Sequence, residues 1–111
     1  ALLIQSSSPY LKMDRTDLTK HVGGPMLARW GNDFIVGGRR FTEDGPRTTL
    51  YWLREGKLHE AASLPSGGDN SYPGFVELDD GTGLISWYSS HEKDANGNTE
   101  CAIYLANLKK N

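Results

Sequence analysis

The chain has 111 residues, 37% of them hydrophobic and 23% charged, with a net charge of −2. That is one domain's worth of polypeptide, and its mean hydropathy of −0.55 fits a protein with many exposed loops. The acidic balance lacks the basic face that nucleic-acid binding requires, and no apolar run approaches the roughly 20 residues of a membrane helix.

Thirteen glycines and five prolines mark a chain that turns often. Cys101 is the single cysteine, so no internal disulfide can form. Next to Ala102 and Ile103 it reads as a small core hydrophobe rather than a nucleophile. Ala1-Leu2-Leu3-Ile4 is too short for the apolar region of a signal peptide, and the residues alone leave the compartment open. His21, His59 and His91 have no short metal-ligand spacing, so neither metal nor cofactor is expected. None of the usual phosphate-cradling loops is present.

Strand signals dominate in chain order, as runs of four to eight residues bounded by Gly, Asp, Asn or Ser. Leu2–Gln5 and Tyr10–Arg15 read as two strands, with one turn of helix possible over Asp14–His21. Met26–Trp30, Phe34–Gly38, Thr48–Arg54 and Lys57–Ala61 read as a four-stranded unit, with tight turns at Gly31-Asn32-Asp33 and Glu55-Gly56. Phe75–Leu78, Leu84–Ser89 and Cys101–Leu108 read as a second unit with its turn at Asp79-Asp80-Gly81.

The two units say nearly the same thing. Each starts with a proline, Pro25 or Pro73, 48 positions apart. Each continues as a short apolar run, a polar turn, a second apolar run, a polar loop and a third run. A strand-built period near 50 marks a β-propeller blade. The expected fold is therefore all-β: a partial propeller of about two four-stranded antiparallel blades plus remnant strands. Residues 1–19 would be remnant outer strands of a preceding blade, 20–63 blade one and 64–111 blade two. The plainer alternative is one small antiparallel sandwich with two similar hairpins. Propellers have four to eight blades. Val36, Leu50, Trp52, Ile85, Trp87 and Tyr104 are expected to line inter-blade faces left wet in a lone chain. The chain should then form a closed homo-oligomeric ring or join missing blades of the same protein, rather than persist as a monomer.

Leu64–Gly74 is a long glycine-rich crossover into an innermost strand, where a propeller opens onto its central pocket. Asp69, Asn70, Ser71 and Tyr72 form a dense polar group between Gly67-Gly68 and Pro73. Turn chemistry accounts for the Gly, Asp, Asn and Ser. Tyr72 is a large aromatic in a loop, and turn chemistry does not call for it.

The run Gly67-Gly68-Asp69-Asn70-Ser71-Tyr72-Pro73-Gly74, with Leu78-Asp79-Asp80-Gly81, Trp87-Tyr88-Ser89-Ser90-His91-Glu92 and Ala102-Ile103-Tyr104-Leu105-Ala106, resembles the last blade of sialidase-like β-propeller proteins. Gly23-Gly24-Pro25 through Gly38-Arg39 resembles the blade before it. The Ser-x-Asp-x-Gly-x-x-Trp turn of true sialidases is absent, so the resemblance is to the wider group. It implies a secreted or periplasmic, glycosidase-type protein with a carbohydrate ligand. It also implies Tyr72 as nucleophile, with Asp69 as a local carboxylate. A tyrosine suits a sugar that carries its own carboxylate, because a neutral nucleophile avoids like-charge repulsion. Arg39 is the candidate carboxylate clamp, ahead of Arg29 and Arg40, because a guanidinium grips a carboxylate at two points. Asn70, Ser71, His91 and Glu92 are the remaining candidate substrate contacts. The acid/base aspartate, the tyrosine-activating glutamate and two of the arginines of such a site come from earlier blades, so this chain alone is expected to be inactive. A sugar-binding, lectin-like module closed by homo-oligomerisation is the second reading, with Trp30, Trp52 and Trp87 as further aromatic candidates.

Overall fold

The computed structural model describes residues 1–111 as an all-β chain of nine strands in three antiparallel sheets, without a helix. β1 (Leu2–Gln5) pairs with β2 (Asp14–Asp17). β3 (Gly23–Trp30), β4 (Asp33–Thr42), β5 (Gly45–Arg54) and β6 (Lys57–Ser63) form a four-stranded sheet in sequence order. β7 (Ser71–Glu77), β8 (Gly83–Lys93) and β9 (Thr99–Leu108) form a three-stranded sheet. Two-residue turns follow the expected chemistry. Glu55 and Gly56 both take positive φ, 52° and 72°, the left-handed pair that joins twisted strands without splaying them.

The one expected helical turn is not formed. Asp14–Asp17 pairs with β1 instead, Leu3 opposite Thr16. The Asp17 carboxylate then accepts the Thr19 N–H at 2.8 Å, closing a turn after the strand. The second strand therefore begins at Asp14 rather than Tyr10.

Two clusters hold the sheets together. In the larger, Trp30, Ile35 and Leu50 of the four-stranded sheet meet Ile85 and Trp87 of the three-stranded sheet, with Leu64 between them. Tilted aromatic contacts extend it, Trp30 to Phe75 at 5.0 Å and Trp30 to Trp52 at 5.5 Å. The smaller cluster lies on the opposite face of the four-stranded sheet. There Val36, Tyr51 and Leu58 pack against Leu18 and Val22, with Leu3 of the hairpin alongside. Each such side chain contributes roughly 1.5–3 kcal/mol on burial. The expectation that Val36, Leu50, Ile85 and Trp87 stay wet is thus corrected, since all four are buried within the chain. The hairpin covers one face of the four-stranded sheet and the three-stranded sheet covers the other.

The apolar surface left open lies elsewhere. On the outer face of the three-stranded sheet, Val76, Ile103 and Leu105 are 51%, 78% and 66% exposed. Cys101 shares that face and is exposed, not buried. Strand alternation sends Ala102, Tyr104 and Ala106 inward and Cys101, Ile103 and Leu105 outward. The radius of gyration is 15.5 Å, against about 13 Å for a compact chain of this length.

The internal repeat is visible in the backbone. β3 and β7 lie side by side. The Ser71 hydroxyl donates to the Gly23 carbonyl at 2.7 Å, and at the far end a Cβ added to Gly31 would lie 3.8 Å from the Glu77 carboxylate. The strands therefore run the same way. Each opens on a bulge, Gly23 to Met26 in one and Ser71 to Gly74 in the other. Gly23 pairs with Arg39 as Ser71 pairs with Tyr88.

Candidate functional site

The crossover Leu64–Asn70 is fastened at nearly every residue. The Trp87 indole N–H donates to the Pro65 carbonyl at 3.0 Å. Ser66 donates to the Leu64 carbonyl and accepts the Thr48 N–H. The Gly67 N–H donates to the Ser89 hydroxyl at 3.0 Å, and the Ser90 N–H donates to the Gly67 carbonyl. Asn70 is fully buried. Its amide donates to the Pro46 and Gly68 carbonyls, and its carbonyl oxygen accepts the Thr48 hydroxyl at 2.7 Å. Asn70 and Ser71, expected as substrate contacts, therefore spend their polar atoms inside the fold. Both are fully buried, and they hold the loop while its neighbours face outward.

What the loop presents is a small polar and aromatic cluster at the lip where β3 and β7 begin. The Tyr88 hydroxyl donates to the Asp69 carboxylate at 2.7 Å. The Arg39 guanidinium reaches the same carboxylate at 3.5 Å and donates weakly to the Asn70 carbonyl. Arg39 Nε is buried with no partner. Tyr72 stacks on Tyr88, ring centroids 6.0 Å apart, and remains 71% exposed. Four side chains from β4, the loop, β7 and β8 thus converge: Arg39, Asp69, Tyr72 and Tyr88. The hydrogen bond to Asp69, with added desolvation, pushes the Tyr88 hydroxyl above its usual pKa and keeps it a neutral donor.

Tyr72 has φ +47°. Three other non-glycine residues have positive φ, Tyr10, Thr19 and Glu55, and all three lie outside the strands. Of these four, only Tyr72 carries that conformation inside a strand. Its repeat counterpart is Gly24, with φ +55°, also in a bulge and also before proline. The left-handed region costs a residue with a Cβ on the order of 1–2 kcal/mol. Gly24 avoids that cost, and a Cβ added there would also crowd the Ser71 hydroxyl at 2.8 Å.

The remaining candidates lie apart from this cluster. Arg40 is paired to Glu60, and Arg29 lies over Phe34 at 5.6 Å. His91 accepts or donates at 2.7 Å with the Ser89 hydroxyl and lies 3.7 Å from Glu92. The residue types suggest a Ser-His-Glu relay, but Ser89 is fully buried and its oxygen is held by the Gly67 N–H and carbonyl. No substrate atom reaches it. His91 also packs on Tyr104 at 4.8 Å and lies against Gly67, so it braces the loop against β9, while the Glu92 side chain stays exposed. Of the tryptophans, Trp30 and Trp87 are core and Trp52 packs on Trp30. Tyr88 was not among the sequence candidates. Its signal is positional: it occupies the place of Arg39 in the repeat.

The lip can offer a ligand an aromatic pair for stacking, one carboxylate acceptor and one guanidinium donor. Compared with known proteins, the chain matches no family model and has no significant match among curated proteins or solved structures.

Proposed function

We propose that this chain is two successive wedges of a sialidase-like β-propeller, and that the lip at Tyr72 binds a carbohydrate bearing a carboxylate. The observation that carries the reading is the strained Tyr72 in a position where the other repeat copy has glycine. Backbone strain of this kind gathers at ligand sites and is retained only where the surroundings over-determine it. The parallel course of β3 and β7 favours wedges around an axis over a simple sandwich. Arg39 beside two stacked tyrosines suits a sugar carboxylate and the apolar face of a pyranose.

Binding without turnover is the chain's own activity in this reading. The hydroxyl that donates to Asp69 belongs to Tyr88, not Tyr72, so the nearby carboxylate is not poised to activate Tyr72 as a nucleophile. Titration with N-acetylneuraminic acid, followed by amide chemical shifts, tests the site. Shifts at Arg39, Asp69, Tyr72 and Tyr88 that vanish in Tyr72→Ala and Arg39→Ala are expected, with no hydrolysis of an aryl sialoside. Equal binding by both variants overturns the reading.

A further inference from the structure

Equivalent positions in the two larger sheets differ in what covers them. Pro73 is buried against Gly37, whose added Cβ would lie 2.9 Å from the proline ring. Its counterpart Pro25 is exposed. Phe75 packs on Trp30, while its counterpart Leu27 is 56% exposed. The reverse holds on the receiving side. Met26, Ala28, Ile35 and Leu50 pack within the core between the sheets. By register their counterparts are Gly74, Val76, Leu84 and Leu105, which line an open apolar hollow of about 230 Å³. The chain therefore holds one filled knob-and-socket, and carries the same knob and the same socket empty on opposite sides.

We infer that a second copy of this chain docks head to tail, its Pro25–Leu27 edge seated in the Gly74–Val76–Leu105 hollow. The inference rests on the wedge reading of the fold and not on the ligand. Three further observations favour a second copy. First, the accessible surface is 7403 Å², against about 6,100 Å² for a folded monomer of this mass. That excess of roughly 1,300 Å² exceeds the ~800 Å² each partner buries in a standard interface. Second, the charges are complementary. Residues 71–108 carry one lysine against six carboxylates, whereas residues 1–31 carry Lys12, Arg15, Lys20 and Arg29 against two aspartates. Third, β9 is an unpaired ten-residue edge bearing exposed Ile103 and Leu105, a surface that pairs readily with another strand. The β1–β2 hairpin covers the β5 and β6 side of the four-stranded sheet through Tyr51 and Leu58. On an incoming copy it would arrive beside that edge. The interface joins unlike faces, so it yields a ring or an open chain of copies.

Sedimentation velocity across a dilution series tests this with two variants at exposed positions, Leu27→Lys on the knob and Leu105→Lys in the socket, each checked for an unchanged far-UV circular dichroism spectrum. Wild type is expected to sediment as multiples of 12.3 kDa that shrink with dilution and with added salt. Each variant alone is expected to stay at 12.3 kDa. A mixture of the two is expected to form a species of twice that mass, because it restores one intact interface. Wild type that is monomeric throughout, variants that assemble as wild type does, or a mixture without the doubled species would each overturn the inference. N-acetylneuraminic acid titration of the monomeric variants reads the Tyr72 site separately, so loss of assembly and loss of binding are told apart.

Discussion

β3 and β7 make the same backbone bend with different residues. Gly24 and Tyr72 both take positive φ, both sit in a bulge and both precede a proline. The fold needs the bend in both copies, and glycine meets that need at least cost. Tyr72 meets it at a cost and in return places an exposed ring beside Tyr88. The difference separates what the sheet requires from what the lip requires. The same contrast recurs one strand over, where Arg39 and Tyr88 hold equivalent positions and both turn to Asp69.

The comparison can be tested first in the core. Ile85 and Val36 are counterparts, but Ile85 lies fully buried between two sheets and Val36 lies under the small hairpin. Ile85→Ala is expected to cost about 2–5 kcal/mol and Val36→Ala about 1–2 kcal/mol, read from urea midpoints. Equal costs would mean that the hairpin seals its face as well as the larger sheet does. Next, exchanging residues between copies sharpens the backbone argument. Gly24→Tyr is expected to lose about 1–3 kcal/mol, because the new Cβ meets the Ser71 hydroxyl and the φ is strained. An unchanged melting temperature would show that the bulge relaxes freely.

The smallest effect is in the titration of Tyr88. Its pKa is raised by donation to Asp69, so the folded state favours the neutral phenol. The stabilisation is present below the unfolded tyrosine value, about 10, and is lost as pH rises through the higher folded value. Burial also raises Tyr51 and Tyr104, so absorbance at 295 nm should show a late-titrating group of tyrosines, and Asp69→Ala should bring one of them, Tyr88, back toward the ordinary range.

Most of the strand pattern was legible because alternation of apolar and polar residues reports directly on a half-covered sheet. The exceptions have physical causes. β7 begins at Ser71, four residues before the apolar run, because Ser71-Tyr72-Pro73-Gly74 has turn composition yet pairs through a bulge. Cys101 beside Ala102 and Ile103 read as core, but alternation gave the inward places to Ala102 and Tyr104. Which face of each sheet finds a cover depends on how the sheets stack, and no local pattern records that. At the lip, Asp69 and Tyr72 stood out by residue type and place and Arg39 through the family resemblance, and the structure brings the three side chains together. Asn70 and Ser71 looked the same in sequence, and only their hydrogen bonds to Thr48, Pro46 and Gly23 mark them as fasteners.

The direct test of Tyr72 as a residue kept for its ligand is Tyr72→Gly, which copies the other repeat. Thermal unfolding and N-acetylneuraminic acid titration are measured on the same sample. Relief of backbone strain offsets the lost stacking, about 0.5–1.5 kcal/mol, so stability should stay within about 1 kcal/mol of wild type while binding disappears. A variant that unfolds, or one that binds as well as wild type, would contradict the account.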